Sequence, residues 1–139
     1  MKLNYRATKK IKAIALLSAM LFTIGSAYSQ NKPWPVPSAS SIVKNPLPVD
    51  ANTIKNGRTL YVSYCSPCHG ASGKGDGAAA AALTTKPANH TSAAIQAESD
   101  GSLYYKITQG RSPMPPYKVT LTESQRWALV SYIKTLGKK

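Results

Sequence analysis

Two cysteines separated by two residues and followed at once by a histidine, Cys65-Ser66-Pro67-Cys68-His69, narrow the folds open to this chain more than any other feature. The C-x-x-C-H spacing is that of covalent c-type haem attachment. Thiols three positions apart share one turn, where they can add to the two vinyl groups on one edge of a haem as thioethers. The next residue, His69, then lies beneath the iron. A permanent tether suits a small exported protein with no easy way to recover a lost cofactor. Three other chemistries use some of the same residues. A thioredoxin-like redox pair normally sits in a β-α-β pattern, and no convincing strand pairs occur here. A structural zinc site needs about four ligands in tetrahedral array. The thiols and imidazoles beyond residue 29 are Cys65, Cys68, His69 and His90, and adjacent Cys68 and His69 make awkward co-ligands. A plain disulfide leaves His69 without a role.

An iron held by one histidine takes thioether sulfur or a second imidazole as its usual opposite ligand. Of the 3 methionines, Met1 and Met20 fall in an N-terminal segment set apart below, which leaves Met114. It sits in Gly110-Arg111-Ser112-Pro113-Met114-Pro115-Pro116-Tyr117, too rich in proline for ordinary helix because proline removes backbone donors and fixes φ. Such a stiff loop can hold a sulfur over a haem face. A lone methionine is otherwise a gap-filling core residue, and the haem motif tips the balance toward ligation. His90 is the rival ligand, giving bis-histidine iron. As an isolated histidine near a loop it is expected at the surface.

The first 29 residues do not read as part of a core. Lys2, Arg6, Lys9, Lys10 and Lys12 precede a mainly apolar run from Ala13 to Ala27 and then small residues, the pattern of a secretory signal peptide over 1–29. Cleavage after Ala27 or after Ser29 both satisfy it. An uncleaved membrane anchor is the alternative, but the run is shorter than the ~18–20 residues that span a bilayer comfortably. Residues 30–52 read as a Pro-rich extended leader, since Pro33, Pro35, Pro37, Pro46 and Pro48 imply polyproline-like chain. Trp34 within it is suited to pinning the leader to the domain or to meeting a partner.

A haem domain is expected over 53–139. A helix from about Thr53 to Tyr64 places Ile54, Gly57, Leu60, Tyr61 and Tyr64 on one face and leads straight into Cys65. The glycine-rich stretch from Gly70 to Gly77 does not have phosphate-loop spacing, because only two residues separate Gly70 from Gly73-Lys74. Tight turning under a haem is the simpler account. Ala78 to Ala82 can form a short helix, and Lys86 to Asn89 reads as loop. A further helix covers Gly101 to Gln109, capped by Ser99 or Asp100 and stopped by Gly110. The last helix, Glu123 to Leu136, opens on a Thr122/Gln125 capping box and stops at Gly137. Its broad apolar face of Trp127, Leu129, Val130, Ile133 and Leu136 must pack on something. With no strands to receive it, that surface is another helix and the haem. A domain this small buries only ~60–65% of its extended-chain surface, so the apoprotein is expected to be poorly folded.

The chain carries +13, and removing five of its 18 basic residues and none of its 5 acids with the signal leaves +8. Nucleic acid is an improbable partner for an exported chain. Acidic protein surfaces or anionic headgroups are better matched.

The ordered series of motifs resembles the class I c-type cytochromes, and more closely their bacterial single-domain members. The resemblance covers about Thr53 to Leu136. It rests on Gly57 and Tyr61, C-S-P-C-H-G at 65–70, G-K-G-D-G at 73–77, D-G-S-L-Y-Y-K-I at 100–107, M-P-P-Y at 114–117 and R-W-A-L-V-S-Y-I at 126–133. It implies an all-α fold in which N- and C-terminal helices cross around one covalently bound haem c, with contact between Gly57, Tyr61 and Tyr132. It also implies a proline carbonyl orienting the haem histidine, for which Pro87 is the nearest match, although this chain has Ala78 where many relatives place a proline. The implied activity is electron transfer rather than enzymatic turnover, by a periplasmic respiratory carrier meeting redox partner proteins. A haem subunit docked in a larger oxidoreductase is the alternative, and an open-site haem enzyme or gas sensor a third. Methionine ligation implies a moderately positive midpoint potential.

Overall fold

The computed structural model describes residues 33–138, so the signal expected over 1–29 lies outside the described residues. From Pro35 onward the chain clusters as one unit. Its first helical turn, α1 (Ser38–Ser41), interrupts the extended leader where Pro37 gives way to a proline-free stretch of small residues. Extended chain then runs to Asp50, whose carboxylate accepts from the Thr53 N–H at 2.8 Å and caps α2 (Ala51–Tyr64). The helix therefore starts two residues before the expected Thr53, because Asp50 is the better cap.

Cys65 breaks α2, and one further turn, α3 (Ser66–His69), carries Pro67 near its start, where no backbone donor is needed. The alanine run yields only a 3₁₀ turn at Ala80–Ala82. A short helix not expected from sequence, α4 (Ala93–Ala97), is capped by the Ser92 hydroxyl. Five residues are too few to show helical periodicity. Next comes α5 (Asp100–Gln109), capped by Ser99 rather than Asp100 and ended by Gly110 at φ 62°. In α6 (Glu123–Leu136) the expected capping box is complete: the Thr122 hydroxyl accepts from the Gln125 N–H, and the Gln125 side chain accepts from the Thr122 N–H. Among the described residues no strand forms, and an isolated bridge joins Arg111 to Met114. None of these helices is long and apolar enough to cross a membrane.

The fold is all-α, and its frame is the crossing of α2 with α6. A Cβ at Gly57 would strike the Ala128 carbonyl and the Tyr132 side chain, so glycine lets the two backbones approach. One turn on, the Tyr61 and Tyr132 rings pack at 5.1 Å. On the other side of α6, Tyr104 of α5 stacks on Trp127 at 3.9 Å and 13°. Tyr61, Trp127, Leu129, Val130 and Leu136 are fully buried, each large apolar side chain contributing ~1.5–3 kcal/mol. The leader residues are tied to this frame. Asn45 donates to the Trp127 carbonyl and the Ser131 hydroxyl, and Ser99 donates to the Ser41 carbonyl.

Candidate haem site

The C-x-x-C-H turn is held by its own backbone. The Cys65 N–H completes α2 on the Tyr61 carbonyl at 2.9 Å, and the Cys65 carbonyl accepts from Cys68 at 3.2 Å and His69 at 2.8 Å. Cys65 is buried and Cys68 half-buried, and they are not joined to each other. Burial pushes the Cys65 thiol up to about 12, with Cys68 beside it adding to the effect.

Glycines then fold the chain back beneath the turn. Gly70, Gly73 and Gly75 all adopt positive φ, near 79°, 81° and 75°, a region closed to most side chains. Gly75 donates to the His69 carbonyl at 2.8 Å and Gly77 to that of Cys68 at 3.1 Å. This reversal delivers residues 88–90 to the His69 ring. His69 Nδ1 meets the Ala88 carbonyl at 2.9 Å. A carbonyl can only accept, so Nδ1 carries the proton and, in the neutral ring, Nε2 keeps its lone pair. Burial holds His69 below the usual histidine range, with the Ala88 bond opposing that shift in part.

The orienting carbonyl thus belongs to Ala88, which corrects the expectation of Pro87. The Pro87 carbonyl lies against Gly75, where a Cβ would collide with it. His90 needs a second correction, since it is 9% exposed rather than at the surface. Its ring stacks on His69 with centroids 4.1 Å apart and planes at 17°, and its Nδ1 lies 3.0 Å from the Tyr61 hydroxyl. Two imidazoles on opposite sides of one metal, each bonded at ~2 Å, would have centroids about 6 Å apart. His90 lies beside the His69 ring. Burial, reinforced by His69, pushes its own pKa down to about 3.

Met114 lies in the Pro-rich loop after Gly110, half-buried against the core. Arg111 and Met114 exchange backbone hydrogen bonds of 3.0 and 2.9 Å. Tyr117 closes the loop, its N–H donating to the Ile107 carbonyl at 3.1 Å and its hydroxyl to the Tyr64 carbonyl at 2.8 Å. Burial pushes the Tyr117 phenol up to about 12, and both Cys65 and Cys68 add to that shift. The loop carrying Met114 and the turn carrying the thiols therefore share one region. Ala88, His90 and Tyr61 were not legible as a set. A backbone acceptor leaves no trace in side-chain identity, and the only signal for His90 was its place two residues past that acceptor.

Crossed helices with a C-x-x-C-H turn ending the first define a class I c-type cytochrome domain. The chain belongs to the family described as cytochrome c oxidase, cbb3-type, subunit III, whose model matches residues 52–133. It binds haem c and transfers electrons, as that domain does. Among solved structures it is similar to a chain of the reducing HAO-like protein complex of Kuenenia stuttgartiensis, at 28% identity and a TM-score of 0.61 over 79% of this chain. The match spans 53% of that longer chain. No curated protein sequence matches.

Proposed function

We propose that the chain is a monohaem electron carrier of the periplasm, with haem c bonded to Cys65 and Cys68 and its iron held between His69 and Met114. The observation that carries this reading is the His69 Nδ1–H bond to the Ala88 carbonyl, which leaves the Nε2 lone pair for a metal. The thiols fit the same group. Each S–H would add across a vinyl double bond, sulfur to one carbon and hydrogen to the other, with no oxidant required. Buried Cys65 and half-buried Cys68 lie on one turn, and Tyr117 places the Met114 loop beside them.

The bound haem supplies a one-electron iron centre whose potential the axial ligands tune. The chain's residues orient the imidazole through Ala88 and hold the sulfur in a proline-stiffened loop. With His69 and Met114 both holding the iron, the metal would be closed to substrate and would exchange electrons with partner proteins. The +8 charge of the exported portion speeds docking on acidic surfaces by ~10–1,000-fold at low salt.

A second reading, the haem domain as a subunit of a larger redox assembly, is favoured by the similar structure being part of a protein complex. Spectra of protein made in cells competent for cytochrome maturation test the proposal. Covalent haem is read from the pyridine complex, and sulfur ligation from the weak near-infrared band of the ferric state. A strongly negative midpoint, or carbon monoxide binding to the native ferrous protein, would remove Met114 from the iron. Co-purification with other subunits in mild detergent would favour the assembly, and salt-independent reduction kinetics would remove the steering.

A further inference from the structure

One hydrogen bond does not fix an imidazole. The Ala88 carbonyl sets the direction of His69 Nδ1 but leaves the ring plane free to swing about the axis from that nitrogen toward the metal. A flat neighbour is needed to stop the swing, and His90 is one, stacked on His69 at 4.1 Å and 17°.

His90 is itself held firmly. Its N–H donates to the Gly73 carbonyl at 2.6 Å, and its carbonyl accepts from the Gln96 side chain at 2.6 Å. Its Nδ1 pairs with the Tyr61 hydroxyl at 3.0 Å, and the two rings meet nearly edge-on at 66°. Tyr61 is 0% exposed and packs on Tyr132. Gly73 makes the room, since a Cβ there would come within 3.2 Å of the His90 Cβ and 3.4 Å of the Tyr61 hydroxyl. Filling space beside His69 would take only an apolar side chain. A ring with a hydrogen-bonding nitrogen adds a fixed plane, referred through Tyr61 to the α2–α6 crossing.

We propose that His90 is a positioning residue for the iron's histidine: stacked on His69 and anchored by the Tyr61 hydroxyl, it sets the plane in which the His69 imidazole crosses the haem. The inference rests on His69 being an axial ligand. Groups beyond the first ligands commonly orient them and tune the metal. In low-spin ferric haem the plane of the histidine decides which ring methyl groups receive unpaired spin, so the plane can be read directly.

The test uses full-length holoprotein as wild type and as His90→Leu, His90→Phe and Tyr61→Phe, with the near-infrared band recorded beside the ferric proton NMR spectrum. His90→Leu, which loses the flat ring and the anchor, is expected to reorder the haem-methyl resonances and shift the midpoint while keeping the band. His90→Phe keeps a flat ring and is expected to restore most of the wild-type order. Tyr61→Phe removes one oxygen and is expected to displace the pattern in the direction that His90→Leu does, by less. An unchanged methyl order in His90→Leu overturns the proposal, and so does an unchanged order in Tyr61→Phe should the leucine variant not fold. Loss of the sixth ligand in His90→Leu, seen as carbon monoxide binding to the ferrous protein, overturns it by making His90 a ligand. Wild-type protein without covalent haem refutes the underlying reading instead.

Discussion

Gly57 on α2 lies with its bare Cα against the Ala128 carbonyl of α6, at the point where the two longest described helices cross. Glycine in a helix interior ordinarily costs ~0.5–1 kcal/mol relative to alanine. Here the balance reverses. A methyl group would meet backbone, which has no rotamer to yield, so the helices must part, and overpacking of this kind costs ~1–3 kcal/mol. Gly57→Ala is expected to lower the melting temperature of the holoprotein by several degrees. A melting temperature equal to or above wild type would show that the crossing has slack.

Met114 is expected to control the sixth position while leaving attachment alone, because the thioethers belong to residues 65 and 68. Met114→Ala should retain covalent haem by the pyridine assay, lose the near-infrared band, lower the midpoint and let the ferrous protein bind carbon monoxide. Persistence of the band in this variant would place another sulfur on the iron, although residues 33–138 hold no second methionine and the sulfurs of Cys65 and Cys68 are assigned to the thioethers.

Asp50 offers a pH-dependent check on the start of α2. The Thr53 N–H and hydroxyl, with the Asn52 N–H, hold its carboxyl below the usual aspartate range against a small effect of burial. A folded-state value below the unfolded one means that the unfolded chain binds the proton first as pH falls. The capping contribution is therefore complete above the unfolded value of ~3.9 and is lost as pH drops through the folded value. Asp50→Ala should melt below wild type at pH 7, with the gap narrowing below pH ~4. Asp50→Asn keeps an acceptor and should fall between them at pH 7. A gap that is constant from pH 7 to 3 would mean that the charge adds nothing.

Much of this molecule could be read before its structure, because the decisive signals are local. The Thr122/Gln125 box fixed the start of α6 and Gly137 its stop, and Gly110 the end of α5, since caps act within one turn. The C-x-x-C-H spacing carried the chemistry for the same reason. What could not be read depends on chain reversal. The turn at Gly70–Gly77 decides which carbonyl reaches His69, and moving the acceptor from Pro87 to Ala88 is a one-residue change that no side chain announces. His90 was misjudged because burial of a lone histidine requires a partner, and the partner, Tyr61, lies 29 positions away on α2. Likewise α4 is too short to show a period, and α1 appears in the proline-free stretch between Pro37 and Pro46.

Asn45 bears on how far the leader belongs to the folded unit. Its side-chain amide donates to the Trp127 carbonyl at 3.2 Å and the Ser131 hydroxyl at 2.9 Å, while its oxygen accepts from the Leu47 N–H at 3.0 Å. Ser131 also bonds the Trp127 carbonyl itself, so truncating Asn45 strands neither partner on α6. The cost falls on the leader, where the Leu47 N–H loses its acceptor, at about 1–2 kcal/mol for partly buried hydrogen bonds. Asn45→Ala is expected to lower the unfolding free energy by that amount and to speed proteolysis within residues 38–50. The near-infrared band should be unaltered, since no iron ligand is touched. Cleavage at the wild-type rate would show that the Ser99 bond to the Ser41 carbonyl holds the leader without Asn45.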